Sequence, residues 1–162
     1  MQIKAGRGSN AHARTMFKHI LIPTDGSKLA ARGVKAGVRL ARALGARVTA
    51  LHVTPPYVPP FGDAVLYIPA VSASEHKKAC ERSAKKILAE VETEARKARV
   101  ACASVYVTDP QAWGGILRVA HSRRCDAIVM ASHGRGGLGG LLLGSETQRV
   151  LAHSKIPVLV AR

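Results

Sequence analysis

Short runs of β-branched and apolar residues alternate along the chain with longer segments whose apolar positions recur at helical spacing. Residues 18–24 (KHILIPT) read as a buried strand, and 27–44 as a helix with Ser27 as its N-cap and Gly45 just past its end. A second strand is predicted at 46–54, a long helix at 73–98, a third strand at 101–107 and a helix at 110–122 with Pro110 at its first position. Strand 126–131, a Gly-rich loop, helix 145–153 and strand 156–161 complete the series. Buried strands that alternate with helices need right-handed crossovers and cover on both faces. The prediction is an open, doubly wound α/β domain: a five-stranded parallel sheet with helices on each side. One segment breaks the rhythm. Residues 54–72 hold five of the eight prolines and three of the six aromatics, which leaves two readings: a lid or partner surface, or a loop packed on its own domain.

Composition narrows the class. A length of 162 residues suits one domain, and 47% hydrophobic residues suit a packed core. No apolar run approaches the roughly 18–20 residues of a membrane-crossing helix, so no membrane partner is expected. Cys80, Cys102 and Cys125 show no CxxC spacing, which fits free thiols in a reducing cytoplasm. The net charge of +15 raises nucleic acid as a partner. Residues 1–15 carry three cations and no acid and read as a flexible basic tail, with Met16 as a candidate start and 16–162 as the domain. Lys28, Arg32, Lys35, Arg39 and Arg42 fall on one helical stripe, read as a solvated face. Glu81–Lys85 and Glu92–Arg96 are spaced as helix ion pairs within a second basic cluster. No zinc finger, basic zipper or aromatic RNA-binding signature accompanies these charges, so nucleic acid is not the expected partner.

The chemistry concentrates where two strands end. Ligands of open α/β sheets bind beyond the carboxyl ends of the strands, where the strand order reverses. The first strand delivers Pro23-Thr24-Asp25-Gly26-Ser27, a carboxylate at a tight turn. The fourth leads through Met130 and Ala131 into a glycine-rich loop that closes on Gly144-Ser145 at a helix start, a place suited to phosphate. Ser145-Glu146-Thr147-Gln148 has capping-box form, which makes Ser145 the expected N-cap. Gly134, Gly136 and Gly139 spell GxGxxG, but that fingerprint belongs after the first strand of a dinucleotide fold. No Gly-Lys-Ser/Thr follows any glycine cluster, which excludes a P-loop. The seven histidines lack close metal-ligand spacing, so no metal site is expected; His133 reads as a loop-bonding residue. Cys125, after two arginines, reads as a small apolar core residue.

At these residues the chain resembles the universal stress protein family over about 17–161. The resemblance is carried by ILIPTDGS, the LHV of the second strand, SHGRGG…LLLGS and the closing PVLV. It implies an adenine nucleotide alpha hydrolase-like, Rossmann-like fold and a cytoplasmic stress-response protein that binds ATP, or ADP or AMP, with Mg²⁺ as an accompanying ion. Carried over by position, Pro23, Thr24 and Asp25 would face the ribose and phosphates, and Val53 would hold the adenine edge through its backbone. Met130 and Ala131 would line the floor. Gly134, Gly144 and Ser145 would donate to phosphates, with Arg135 and Glu146 beside them. The family's ATP-binding loop opens on a glycine where this chain has Ala131, so a nucleotide-free dimeric interaction module stands as the second reading. The resemblance also implies a homodimer through the last strand, 156–161, an apolar edge. No catalytic residue is assigned. Slow ATP hydrolysis assisted by Asp25 is the most that enzyme chemistry would amount to.

Overall fold

A computed structural model describes residues 16–59, 72–132 and 143–162. Its centre is β1 (His19–Pro23), whose sequence HILIP is buried along its whole length. A strand covered on both faces by helices has no wet side, so its apolar residues run on without alternation. The same holds for β4 (Ala127–Ala131). Around them follow α1 (Ala30–Leu44), β2 (Arg47–Thr54), α2 (Ala73–Lys97), β3 (Cys102–Thr108), α3 (Ala112–Ser122), α4 (Ser145–His153) and β5 (Val158–Ala161). All strand pairs are parallel, in the order β3-β2-β1-β4-β5. The predicted doubly wound α/β sheet is therefore observed. Its order reverses between β1 and β4, which is where the expected site must lie.

Two apolar cores sandwich the sheet. On one face Val34, Val38 and Ala41 of α1 and Leu88, Val91 and Ala95 of α2 cover Ile20, Ile22 and Val129. On the other, Ile116, Val119 and Ala120 of α3 and Val150 of α4 cover Leu21, Leu51 and Ile128. Helix α1 lies very close to the sheet at Gly33, where a Cβ would stand 2.6 Å from the Ala131 nitrogen. That contact seats α1 against the carboxyl end of β4, so its absence of side chain fixes one wall of the switch point. The five cations of the α1 stripe are all exposed, as expected of a solvated face.

Several boundaries differ from expectation, each for a local reason. Helix α1 starts at Ala30 rather than 27, because Asp25, Ser27 and Thr24 first build a turn on their own backbone. Pro110 lies outside α3, whose N-cap is Gln111. Strand β5 begins at Val158, two residues later than expected, after a turn in which Ser154 Oγ donates to the Ile156 carbonyl and accepts from the Ile156 N–H. Ser145 is not the N-cap of α4: Gly144 holds that position, since the Gln148 N–H donates to the Gly144 carbonyl. The capping box forms instead at the start of α2, where Ser72 and Glu75 satisfy each other's backbone N–H groups. In α2 Glu81–Lys85 closes at 2.8 Å, while the C-terminal pair is Glu94–Lys97 instead of Glu92–Arg96. Among the described residues no helix is long and apolar enough to cross a membrane. The tail 1–15 and residues 60–71 of the Pro-rich segment lie outside the described residues.

Candidate functional site

The carboxyl end of β1 is held by interactions that leave little freedom. The Thr24 N–H donates to the Leu51 carbonyl at 2.8 Å, and the Thr24 carbonyl accepts from His52 Nδ1 at 2.8 Å. A carbonyl only accepts, so the His52 proton sits on Nδ1. Thr24 Oγ1 then accepts from the Gly26 N–H, Asp25 Oδ1 from the Ser27 N–H, and Ser27 Oγ from the Ala30 N–H. These Asx- and Ser/Thr-type turns reverse the chain and set the Asp25 carboxylate at the strand end. Gly26 makes the reversal possible. Its φ is +76°, and a Cβ there would meet Ile87 of α2 at 2.8 Å.

Beyond this turn the neighbouring strands continue. The last β1–β2 partners are Pro23 and Leu51, yet β2 runs on to Thr54. In a parallel strand alternate residues direct both backbone polar groups to opposite neighbours. Leu51 bonds toward β1 and Thr54 toward β3, through Thr24 N and Asp109 N respectively. Val53 therefore turns its N–H and C=O toward β1 at a level past the last β1 partner. Its side chain meanwhile packs on the other side against α3, where a Cβ on Gly115 would lie 3.1 Å from Val53. The backbone groups expected to hold an adenine edge are thus aimed at the mouth of the site.

The opposite wall is β4 and the start of α4. Met130 and Ala131 are buried at 7% and 8% exposure, and Ala131 lies in extended strand backbone without positive φ. The Thr147 hydroxyl, itself buried, donates to the Ala131 carbonyl at 3.1 Å and ties the first turn of α4 to the end of β4. The Gly144 N–H donates to the Ser132 carbonyl at 2.8 Å. Together these bonds bring Gly144 and Ser145 to the strand end, 13 and 14 residues beyond Ala131 in sequence. Ser145 is exposed, and among the described residues no side-chain hydrogen bond caps α4, whose first turn lies at this strand end. Glu146 points elsewhere. Its Oε2 accepts from the Trp113 N–H in the first turn of α3 at 2.7 Å, and Oε1 lies 3.6 Å from Arg149.

The structure thus places Pro23, Thr24, Asp25, Val53, Met130, Ala131, Gly144, Ser145 and Glu146 around the switch point. Gly134, Arg135 and His133 lie outside the described residues. Two further contributors escaped the sequence reading: His52, which holds Thr24, and Thr147, which holds Ala131. The LHV run and a β-branched hydroxyl two residues past Ser145 were their only local signals. Among the described residues no group of three or more His, Cys, Asp or Glu could hold a metal ion. Cys125 is a core residue as read, its thiol pushed up to about 11 by burial first and the nearby Asp126 charge second.

Comparison with known proteins bears on the family and the fold. Residues 16–162 match the model of the universal stress protein family. A universal stress protein of Thermus aquaticus, encoded in the QAH/OAS sulfhydrylase 3'region, is 34% identical over 147 residues, covering 91% of this chain and all of that protein. The solved structure of hypothetical protein MJ0577, with 26% identity, superposes with a TM-score of 0.71 and covers 90% of this chain and 96% of that one. Two further neighbours were solved as nucleotide complexes. One is a universal stress protein with cAMP (20% identity, TM-score 0.66, 90% and 97% of the chains), the other the Archaeoglobus fulgidus protein with dAMP (18%, 0.62, 91% and 99%). The family model and the relatives settle the assignment: the chain belongs to the universal stress protein family.

Proposed function

We propose that this chain binds an adenine nucleotide (ATP, ADP or AMP) at the carboxyl ends of β1, β2 and β4 and acts as a conformational regulator in the stress response. The observation that carries the reading is Val53, whose backbone N–H and C=O face the mouth past the end of β1. An adenine edge needs one donor and one acceptor side by side, which a strand residue of this kind supplies. In this reading Asp25 takes the ribose and the Ser145 N–H takes phosphate, whereas the Gly144 N–H, expected to donate to phosphate as well, is already given to the Ser132 carbonyl. Mg²⁺ would be carried on the phosphates, since the protein side offers no ligand cluster among its described residues. The cAMP and dAMP complexes share the fold with this chain, and the proposal therefore leans on this chain's own residues.

Ala131 is the point on which the nucleotide-free reading depends. The extended backbone there requires no glycine, and the Ala131 carbonyl is already engaged by Thr147. The departure from the family motif adds a methyl without forcing a strained conformation, which favours the nucleotide reading. The homodimer is proposed through β5, an edge strand with Leu159 45% exposed between half-buried Val158 and Val160.

Native mass spectrometry of freshly purified protein tests both parts at once, by reading mass for a dimer and for retained nucleotide. Gly144→Val sharpens the result. Gly144 has φ −58° and ψ 147°, which any residue adopts, so the variant should fold. Its added side chain stands at the helix start where phosphate is placed, and millimolar ATP or AMP should no longer raise its melting temperature. An undiminished thermal shift in Gly144→Val would move the ligand elsewhere.

A further inference from the structure

Because every strand pair is parallel, all five strands begin at one edge of the sheet, opposite to the proposed nucleotide site. A cation stands at the start of each. In the spatial order of the strands these are Arg99 before β3, Arg47 at the start of β2, Lys18 before β1, Arg124 before β4 and Lys155 before β5. All five are exposed, and among the described residues none of them makes an ion pair. At about 4.8 Å per strand the row extends about 19 Å. The helices that end at this edge add Arg42, Arg96 and Lys97, which also offset the helix dipoles. The acids nearby are engaged. Glu94 lies 3.0 Å from Lys97, and Asp126 accepts from the Lys18 and His19 N–H groups. Beyond the described residues the sequence holds one acid, Asp63, in the segment that joins the carboxyl end of β2 to α2.

The backbone supplies a second, independent observation. Helices α1, α2 and α3 end in the same kind of turn, closed by an N–H that donates back into the helix: Ala46 to Ala41, Val100 to Ala95 and Cys125 to Ala120, each at 2.9 Å. The left-handed position of this turn is Gly45 in the first case, with φ +64°. In the other two it is Arg99 and Arg124, with φ +56° and +54°. No other non-glycine residue among those described has positive φ. Glycine takes this conformation freely, whereas a side chain there crowds its own backbone. Arginine thus twice holds a place that suits glycine, both times within the row of cations.

We propose that this edge is a docking face for the phosphate backbone of a nucleic-acid duplex, bound without regard to sequence. Such binding needs no base-reading element, so the absence of a zinc finger or basic zipper does not exclude it. A row of charges suits a linear polyanion better than a plane of lipid headgroups, and about 19 Å of duplex carries about 11 phosphate charges. A single strand would ask for exposed aromatic rings on which to stack, but Phe17 at this edge packs against the core. The face is separate from the nucleotide site and does not depend on that reading.

The test is fluorescence anisotropy of the full-length protein with a labelled DNA duplex of about 20 base pairs, at about 50 to 200 mM salt. Wild type should bind two duplexes of unrelated sequence within about twofold of each other, with affinity falling steeply as salt rises. Arg99→Gly/Arg124→Gly should weaken binding about tenfold at the lowest salt. It should also reduce the slope of log affinity against log salt by about 1.8, at about 0.9 per lost contact. The same variant should melt no lower than wild type, since glycine relaxes both turns. Arg47→Gln/Lys155→Gln leaves those turns alone and should weaken binding by a similar factor. Arg32→Gln/Arg39→Gln removes the same charge from the exposed stripe of α1 and should stay within about twofold of wild type. An equal loss in the α1 variant, or undiminished affinity in both edge variants, overturns the docking face. So does a wild type that fails to bind the duplex. If that protein instead binds phosphatidylserine vesicles, the face belongs to a membrane surface.

Discussion

The β1–β4 pair is built differently at its two ends, although the same strands run through both. At the amino end the polar groups close on each other. Asp126 accepts from the Lys18 and His19 N–H groups at 2.8 and 3.0 Å, its own N–H donates to the His19 carbonyl, and His19 Nε2 meets Thr49 Oγ1 at 2.7 Å. At the carboxyl end the turn 24–27 satisfies its own backbone, while Val53 aims polar groups outward. An end whose polar groups bond mostly to one another contributes to stability, even with His19 Nδ1 left buried without a partner among the described residues. The carboxyl end, where β2 runs on past the last β1 partner, is the end proposed for binding. Damage at the two ends should therefore separate into two different measurements.

The largest effect is expected from Asp126→Ala. It removes the acceptor of two backbone N–H groups at the start of β1, and charge-assisted bonds of this kind contribute about 1.5–3 kcal/mol each to stability. The first of them is exposed and worth less, so a loss of about 2–3 kcal/mol is expected in urea unfolding. Nucleotide affinity, measured well below the melting point, should stay within about twofold of wild type. A variant that kept its stability but lost affinity would erase the distinction between the ends.

The opposite pattern is expected of Asp25→Ala. The side chain's bond to the Ser27 N–H lies in a half-buried local turn, so stability should change by about 1 kcal/mol, less than in Asp126→Ala. If Asp25 takes a ribose hydroxyl, affinity for AMP should fall about tenfold, equivalent to about 1.4 kcal/mol. Calorimetry on the two variants side by side makes the comparison direct. Equal losses of stability in both would show that the turn at 24–27 is structural first.

The contrast also explains how much could be read in advance. Strand runs such as HILIP and AIVMA, and glycine at the α1 C-cap, are local signals, and the sheet and helices followed from them. The turn 23–27 and Gly144-Ser145 were legible for the same reason, since their chemistry lies in consecutive residues. What stayed hidden is long-range. Asp126 meets Lys18 and His19 across 107 or more residues, His52 meets Thr24 across 28, and Glu146 meets Trp113 across 33. The misplaced capping box has a related cause. Ser72–Glu75 and Ser145–Gln148 share the pattern, but Thr147 and Gly144 are committed to β4 and Ser132, which makes Gly144 the N-cap of α4.

The smallest effect sharpens the amino end further. His19 is buried, and its imidazole is held below the usual value of 6.5, by burial first and by the Arg47 charge second, with Asp126 opposing. The folded state therefore binds fewer protons than the unfolded chain below pH 6.5. The sign follows: His19 contributes stability fully above about 6.5, and that contribution is lost as the pH falls toward the depressed folded value. Wild-type melting temperature should decline from pH 7.5 to 5.5, with part of the decline coming from this group. His19→Gln should flatten part of that decline, and an unaltered slope would assign it to other histidines. Asp126→Ala offers an internal check. Without the carboxylate that raises it, the His19 value should drop further, so the variant's stability should fall more steeply with acid than that of wild type.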